Sequence, residues 1–426
     1  MAVTFVYFIL PVILLILGLP IFVVLTLTST AAIVFVAHVP MDAIQTNMFG
    51  SLDNFPLLAV PFFVLAGEIM GRGGIANRVV NWVVSLIGGM RGSLAVTTVA
   101  SSELFGAMAH TSVGTVVAIG RLLFPSLTKQ GYGERFAVSL ITSSGAVAVI
   151  IPPSISMILY AMTAQVSAIQ LFTAGILPSL LIGIVDAVYV IAYSRAKAMP
   201  LTSPVRWKNI WASTKEASWA IGTIAVIFGG IYGGIFTPTE AAGVAVVYSL
   251  FVAMFIYREI GPRELWQVVV DSIYLIAQIL IIVTGAGIYS WLMTTSGIPQ
   301  RLIGGIDAMH LPAWQTLLFV NAGLLMAGSF LEPPAAILIL TPLLLPIVEA
   351  AGINAIHFGI IMAVNLSIGL YLPPFGLNLF AARAIFNVPM ATIYRGVLPF
   401  VVINFVALLV ITYVPAISMV LLGTGR

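Results

Sequence analysis

The sequence carries one pattern twice, and both copies lie in apolar stretches long enough to span a bilayer. The first copy runs from Gly131 through Pro152-Pro153 to Pro178, and the second from Gly352 through Pro373-Pro374 to Pro399. The differences 352 − 131, 373 − 152 and 399 − 178 all equal 221. Interrupted membrane segments at matching positions of two halves indicate the binding site of a transporter.

The composition requires lipid as the solvent for most of the chain. Apolar residues make up 61% and charged residues 7%, whereas a soluble domain has about 25% charged residues. The 24 prolines and 38 glycines suit broken helices that line a polar cavity. We therefore predict an all-α polytopic membrane protein, with a first segment, residues 1–36, that is a retained membrane helix and not a signal peptide.

Two classes of site are excluded by composition. The sequence has no cysteine, so it has no disulfide framework, thiolate metal site or cysteine nucleophile. It also has no run of Lys or Arg that indicates nucleic acid, and its net charge is only +3. We predict no nucleic-acid partner.

Hydropathy predicts twelve membrane spans. They cover about 4–17, 20–37, 55–71, 92–105, 134–163, 170–194, 216–234, 236–257, 266–294, 313–327, 354–386 and 392–420. Two further apolar stretches, about 106–128 and 328–349, are too short to cross twice. We predict that each is broken in its middle and forms a re-entrant hairpin.

The positions of basic residues predict the orientation. The polar loop from Arg195 to Lys215 carries five Lys and Arg residues, which makes it cytoplasmic by the positive-inside rule. Tracing the chain from this loop places 15 of the 17 basic residues on the cytoplasmic side and leaves only Arg301 and Arg426 outside. Both termini are then periplasmic, and the halves have opposite orientations, as an inverted repeat requires.

The repeat gives a domain organisation. Residues 1–54 are N-terminal scaffold helices, 55–194 the first repeat, 195–215 a cytoplasmic loop, 216–265 further scaffold helices and 266–426 the second, inverted repeat. Gly74-Ile-Ala-Asn-Arg78 matches Gly297-Ile-Pro-Gln-Arg301. Each match predicts a short amphipathic arm helix along the membrane surface; an ordinary connecting loop is the alternative.

The hairpin turns and the broken spans are the predicted binding sites. A break inside the membrane exposes carbonyl groups at one helix end and N–H groups at the next, which hold Na⁺ and attract a carboxylate. The candidate Na⁺ ligands are Ser112, Ser143, Ser144, Gly145, Gly328, Glu332, Asn365 and Gly369. The candidate substrate residues are Gly106, His110, Thr111, Ser154, Ser329, Ser367 and Asn378. Pro152, Pro153, Pro373 and Pro374 are the structural breaks.

Several polar residues have alternative roles. Glu332, which the repeat aligns with His110, is a cation ligand, a proton acceptor or a partner of a backbone amide. Glu240 is expected to cap a helix. Glu68, Glu103 and Asp186 are expected to pair or to reach the interface near span ends, and Arg383 is expected to be a cytoplasmic anchor.

The chain resembles the large membrane subunit of tripartite ATP-independent periplasmic (TRAP) transporters, the DctM-type family, over essentially its whole length. The segments that carry the resemblance are Pro61-Phe-Phe-Val-Leu-Ala-Gly-Glu-Ile-Met70 with Gly73-Gly74, Ile150-Ile-Pro-Pro-Ser154, Pro238-Thr-Glu-Ala-Ala242, and His357-Phe-Gly-Ile-Ile-Met362 with Pro373-Pro374 and Gly376-Leu-Asn378.

The resemblance implies a Na⁺-driven importer in a bacterial inner membrane, with Na⁺ as coupling ion and no other cofactor. It implies two partners, a small four-helix membrane subunit and a soluble periplasmic substrate-binding protein. It also implies an elevator-type mechanism, in which a domain with both hairpins and both broken helices slides against a scaffold. Family substrates are C4-dicarboxylates, sialic acid and other small organic acids. His110-Thr111-Ser112 and Glu332 depart from the residues usual at the two hairpin turns.

Competing functions remain at this point. A Na⁺/dicarboxylate symporter that works without a binding protein would share the elevator-type fold. An intramembrane enzyme would use the membrane carboxylates and serines, but the sequence has neither a His-Glu-x-x-His motif nor a Gly-x-Ser-x-Gly elbow. A channel would not need paired broken repeats. We therefore predict a transporter subunit that is not an enzyme.

Overall fold

The computed structural model describes residues 2–37, 39–40, 42–109, 111–201, 205–308 and 311–423. Over these ranges the chain is helical, and its one β-bridge joins Arg91 and Leu201. Seven helices are long and apolar enough to cross a membrane, or eight if the bent pair Glu134–Ile150 and Ile155–Thr163 counts as one span. The predicted all-α polytopic fold is confirmed.

The helices of the first half precede the polar loop. They are α1 Ala2–Thr4, α2 Leu10–Ile16, α3 Ile21–Ala32, α4 Asp42–Gly50, α5 Ala59–Arg72, α6 Ile75–Leu86, α7 Ser93–Ala109, α8 Ser112–Lys129, α9 Glu134–Val147, α10 Ile155–Thr163 and α11 Ala168–Ala196. The π-helices Phe5–Ile9 and Ile33–Ala37 and the 3-10 helices Phe55–Leu58 and Ala148–Ile150 extend them.

The second half follows the loop. Its helices are α12 Trp207–Tyr232, α13 Pro238–Phe251, α14 Pro262–Thr295, α15 Ile298–Ala308, α16 Ala313–Phe330, α17 Pro333–Ala350, α18 Ala355–Gly369, α19 Leu377–Phe386, α20 Met390–Tyr413 and α21 Ala416–Met419. The π-helix Val252–Ile256 extends α13, and the 3-10 helix Val420–Leu422 follows α21.

The number of full-length spans is below the twelve that hydropathy predicts. Four apolar segments, Phe5–Ile16, Ile21–Ala37, Ala355–Gly369 and Leu377–Phe386, are shorter than a complete crossing. A sliding hydropathy window joins the last two of these segments, because it does not detect the turn that separates them. The predicted span 354–386 is therefore two helices, α18 and α19, separated by residues 370–376.

The expectation that 106–128 and 328–349 are each broken in the middle is wrong. α7 ends at Ala109 and α16 at Phe330, and α8 from Ser112 and α17 from Pro333 then run without a break for 18 residues each. The preceding helices α7 and α16, which we counted as separate spans, pack against α8 and α17 as the first arms of helical pairs. Pro333 and Pro334 explain the second turn, because proline is favoured at the first turn of a helix, where its missing N–H has no intrahelical partner.

Each half contains one broken helix at its Pro-Pro pair. In the first half α9 continues as a 3-10 helix to Ile150, and α10 leaves at an angle of 41°. In the second half α18 ends at Gly369, and α19 begins at Leu377. The Pro152-Pro153 and Pro373-Pro374 peptide bonds are both cis. The predicted breaks therefore lie where the sequence places them.

The two halves exchange their second half-helices. α10 packs against α17 and α18, whereas α19 packs against α8 and α9. The Tyr160 hydroxyl on α10 donates to the Ala355 carbonyl at 2.6 Å, and the rings of Phe124 and Phe386 stack at 4.6 Å. Each broken helix thus completes the core of the opposite repeat, and one core joins both.

Both predicted arm segments are helices, α6 and α15, and each follows a glycine with positive φ, Gly74 at 74° and Gly297 at 67°. α6 packs against α12. Arg78 on α6 pairs with Glu259 at 2.5 Å and lies 3.8 Å from the centroid of the Tyr257 ring. The first arm is therefore held to the helices that follow the polar loop.

Glu240 has the structural role that the sequence favours. The Thr237 hydroxyl accepts from the Glu240 N–H at 3.3 Å, and Glu240 Oε2 accepts from the Thr237 N–H at 2.8 Å. This reciprocal pair is a capping box at the start of α13.

Candidate functional site

The first junction brings the α7–α8 pair onto the end of α9. A Cβ on Gly106 would lie 2.6 Å from the carbonyl oxygen of Ala148, and a Cβ on Gly145 would lie 2.6 Å from Val116 Cγ2 on α8. Side chains at these glycines would separate the helices. Gly106 and Gly145 are therefore contact positions that set the distance between the turn and the broken helix.

The second junction has the same construction. A Cβ on Gly369 would lie 2.7 Å from the carbonyl oxygen of Gly328, and a Cβ on Gly328 would lie 2.9 Å from Leu366 Cα. Gly369 and Ala148 occupy equivalent positions, since 369 − 148 equals 221. The repeat therefore places one helix pair against one broken helix in each half.

Each junction contains a buried side-chain oxygen without a hydrogen-bond partner among the described residues. Ser144 Oγ is one and Asn365 Oδ1 is the other, and both residues are fully buried. They are equivalent in the repeat, since 365 − 144 equals 221. Burying an oxygen without a partner is costly, so both positions suit a bound cation.

The neighbouring candidate Ser143 is already engaged. Its hydroxyl donates to the Ser139 carbonyl at 2.9 Å. In the second half, the Asn365 amide donates to Asn321 Oδ1 at 2.6 Å and to the Ile361 carbonyl at 2.8 Å, which fixes the side chain with its oxygen free.

The two turns carry the N-terminal ends of helices. Thr111 and Glu332 are the N-cap residues of α8 and α17, and neither side chain makes a capping hydrogen bond. Since 332 − 111 equals 221, Glu332 is structurally equivalent to Thr111 and not to His110, which lies outside the described residues. Glu332 is exposed, and a helix N-terminus favours an acidic side chain.

The second turn and the second break meet at an exposed aromatic pair. The rings of Phe330 and Phe375 lie 4.5 Å apart and are 61% and 49% exposed. Ser329 beside them is buried, and its hydroxyl donates to the Met326 carbonyl at 2.7 Å.

The candidate substrate residues of the breaks are buried. Ser154 is the N-cap of α10, and Ser367 and Asn378 are also buried; the candidate Na⁺ ligand Ser112, at the start of α8, is buried as well. Asn378 reaches across the repeats, because its amide donates to the Thr142 carbonyl on α9 at 3.5 Å while its Oδ1 has no partner among the described residues. α19 thereby brings a polar group to the first junction.

The sequence reasoning did not identify Asn321 as a site residue. Its amide donates to Thr412 Oγ1 at 3.2 Å, and its oxygen accepts from Asn365. His357 binds Ser418 Oγ at 2.6 Å and the Thr412 carbonyl at 3.2 Å, which extends the polar network to α21. The available signal was an asparagine within an apolar membrane helix, but its partners are 44 and 91 residues away.

The sequence matches one protein family over almost its whole length. The family model described as the tripartite ATP-independent periplasmic transporter, DctM component, matches residues 8–417. The C4-dicarboxylate TRAP transporter large permease protein of Pseudomonas aeruginosa is 38% identical over 93% of both chains. The sialic acid TRAP transporter large permease protein of Vibrio cholerae is 32% identical over 96% of this chain and 97% of its own.

A third relative is longer than this chain. The isethionate TRAP transporter permease protein DctMQ of Oleidesulfovibrio alaskensis is 37% identical over 96% of this chain and 65% of its own.

Among solved structures, the YdaH transporter of Alcanivorax borkumensis superposes with a TM-score of 0.59 at 15% identity, over 90% of this chain and 89% of that one. The latter likeness supports the fold alone. The sequence matches show that the chain belongs to the DctM family of TRAP transporter large permeases, multi-pass membrane proteins that are not enzymes.

Proposed function

We propose that this permease imports a small organic anion, coupled to Na⁺, by an elevator mechanism. The observation that carries the proposal is the recurrence of one junction in both repeats, each with a buried oxygen, Ser144 Oγ or Asn365 Oδ1, that lacks a partner among the described residues. A Na⁺ ion at each junction would supply the missing partner.

The cation sites are built from neutral oxygens. The 3-10 extension of α9 ends at Ile150 and α18 ends at Gly369, and a carbonyl oxygen at a helix end has a second lone pair that can bind a cation. Ser144 and Asn365 supply the side-chain ligands, and the glycines at 106, 145, 328 and 369 let the turns approach closely. Glu332 lies in the second turn as the N-cap residue of α17, where its carboxylate would contribute a negative charge.

The anion would bind between the two turns. The N-termini of α8 and α17 present N–H groups and positive dipole ends that favour a carboxylate. Thr111 and Ser112 supply further polar groups at the start of α8, and Ser154 at the start of α10 and Asn378 on α19 are the candidates at the breaks. Bound Na⁺ would order the turns, so that the anion site forms only with the cations present, and by linkage the anion would tighten Na⁺ binding by the same factor.

We propose a C4-dicarboxylate-like acid as substrate, because the relative at 38% identity is named for C4-dicarboxylates. Sialic acid or another sugar acid is the alternative, since a relative at 32% identity is named for sialic acid. The two differ in size and hydroxyl content, so direct uptake measurements separate them.

We further propose the partners and the location. The permease works in a bacterial inner membrane with both termini periplasmic, and a soluble binding protein delivers the substrate. A small four-helix subunit binds beside it as a separate chain, in contrast to the relative named DctMQ, of which this chain covers 65%. In the elevator, both helix pairs and both broken helices move against the remaining helices.

The test is uptake into proteoliposomes that contain the permease and the small subunit, with the binding protein outside. Labelled succinate should accumulate when an inward Na⁺ gradient is present and should stop accumulating when K⁺ replaces Na⁺. Labelled sialic acid is measured in parallel. Uptake that is unchanged without a Na⁺ gradient would contradict the coupling, and uptake without the binding protein would favour an independent symporter.

A further inference from the structure

Two carboxylic acids, Glu103 on α7 and Asp186 on α11, lie close together inside the bundle, and neither is bonded to a junction oxygen in the described part of the chain. The Glu103 carboxyl occupies the space over Gly183, where a Cβ would lie 2.6 Å from Glu103 Cδ. Gly183 and Asp186 are three residues apart on one helix and therefore share a face. Asp186 has no exposed surface.

Asp186 belongs to a network that has too few donors. Its Oδ1 accepts from the Asn404 amide at 3.1 Å, and the same amide nitrogen donates to the Tyr371 hydroxyl oxygen at 3.0 Å. Asp186 Oδ2 and Asn404 Oδ1 are buried and have no hydrogen-bond partner among the described residues. Both atoms are hydrogen-bond acceptors, so the cluster lacks a hydrogen-bond donor. The negative charge of the carboxylates also lacks a compensating positive charge.

No basic side chain in the described part of the chain supplies that charge. The ion pairs there join Arg72 to Glu68 and Asp271, and Arg78 to Glu259. The titratable groups that face Asp186 are Glu103 from α7 and Tyr371 from the second break, while α20 contributes the neutral Asn404.

Three titratable residues on helices that pack against α11 are engaged elsewhere. His357 on α18 binds Ser418 and Thr412, Tyr160 on α10 donates to the Ala355 carbonyl, and Arg135 on α9 donates to the Arg395 carbonyl. Two uncompensated carboxylates enclosed by apolar helices are strongly unfavourable.

The missing charge is best supplied by a proton. The prolines inside α11 and α20, Pro178 and Pro399, precede Asp186 and Asn404, and the helical turns that carry Glu103, Asp186 and Asn404 are continuous. The carbonyls of these turns are bonded within the helices, so a metal cation would find mainly side-chain oxygens. A proton needs one carboxylate oxygen to bind it and a second oxygen to accept the hydrogen bond.

We propose that Glu103 and Asp186 form a proton-binding site in the membrane interior. A proton from the aqueous phase binds one carboxylate oxygen, which neutralises that group, and is returned to water when the site opens. Neither acid is among the proposed Na⁺ ligands, and the proton site does not require Na⁺ to be bound.

Proton binding at Asp186 would also affect the second break, through Asn404. Asn404 bonds both Asp186 and Tyr371, and Tyr371 follows Gly369 by two residues at the second break. Protonation of Asp186 weakens its attraction for the Asn404 amide and thereby changes how Tyr371 is held. Coupling of this proton to Na⁺ at the second junction rests on the proposed function, whereas the proton site does not.

The experiment is infrared difference spectroscopy of the full-length permease in lipid nanodiscs, between neutral and strongly alkaline pH. We expect the wild type to show the carbonyl stretch of a protonated carboxylic acid that disappears at high pH. Glu103→Gln and Asp186→Asn should each remove or shift this band. Glu240→Gln, which changes the exposed capping box of α13, should leave it unchanged.

Gly183→Ala is the second variant to measure if Asp186→Asn does not fold. It keeps both acids but displaces Glu103, so it should shift the pH midpoint of the band. A band that neither Glu103→Gln nor Gly183→Ala alters would overturn the proposal. A band that responds to Na⁺ at constant pH and not to pH would also overturn it and would indicate a metal cation.

Discussion

Gly369 at the end of α18 lies against the backbone of Gly328 on α16, and a Cβ on Gly369 would come within 2.6 Å of Gly328 Cα. We expect Gly369→Ala to separate the helices and to reduce Na⁺-dependent uptake at least about tenfold, because a shift of about 1 Å at a positioned site is already costly. Gly323→Ala, on the same α16 with nothing within 4 Å of its Cβ, is the matched control. Equal activity of both variants would contradict this prediction.

Removal of either unpartnered junction oxygen should weaken Na⁺ binding. Loss of a buried ligand oxygen costs about 1–3 kcal/mol, so Ser144→Ala and Asn365→Leu should raise the Na⁺ concentration for half-maximal uptake by about tenfold or more. The measurement is uptake against Na⁺ concentration at saturating substrate. Ser139→Ala is the control on α9, because the Ser139 hydroxyl already donates to the Arg135 carbonyl at 2.7 Å; an equal effect there would indicate a packing defect.

The first arm helix should be held to its neighbours by a modest ion pair. Arg78 Nη1 lies 2.5 Å from Glu259 Oε1, and the two side chains are 18% and 37% exposed. Exposed ion pairs contribute about 0.2–1 kcal/mol to the free energy of unfolding. A double-mutant cycle with Arg78→Ala and Glu259→Gln, read from thermal unfolding in detergent, should give a coupling energy within that range. Arg301→Ala, on the exposed face of the second arm, should leave stability unchanged.

The cross-repeat contact of α10 should stabilise the folded state. The Tyr160 hydroxyl donates to the Ala355 carbonyl at 2.6 Å, and a buried hydrogen bond contributes about 0.5–1.5 kcal/mol. Tyr160→Phe keeps the ring on Phe358 and should lower the unfolding temperature without changing the Na⁺ dependence of uptake. A changed Na⁺ dependence would place Tyr160 in the transport site instead.

We expect Asn321 to affect Na⁺ binding, because it holds the side chain of Asn365. It accepts the Asn365 amide at 2.6 Å and donates to Thr412, so Asn321→Leu leaves a buried donor without this partner, at a cost of about 1–3 kcal/mol. We expect a lower unfolding temperature together with weaker Na⁺ activation, since the orientation of Asn365 Oδ1 is lost. If stability falls while Na⁺ activation stays at the wild-type level, Asn365 is not a Na⁺ ligand.

The breaks and the arms were accessible to sequence reasoning because their causes are local. Two consecutive prolines interrupt a helix wherever they stand, and a glycine with positive φ begins each arm at Gly74 and Gly297. The turn positions were harder. Apolar residues continue on both sides of 110–111 and 331–332, and the prolines at 342 and 346 are tolerated inside α17.

The sequence by itself determined the class of protein, its duplicated plan and the positions of both broken helices, because hydropathy, proline chemistry and a fixed 221-residue offset act along the chain. Only the tertiary structure decided which polar atoms meet. Asn365 finds Asn321, Asn378 reaches Thr142, and Glu103 lies over Gly183 beside Asp186. These contacts join residues that are distant in sequence, and the contact of Asn378 with Thr142 also depends on the exchange of half-helices between the repeats; no local pattern encodes either relationship.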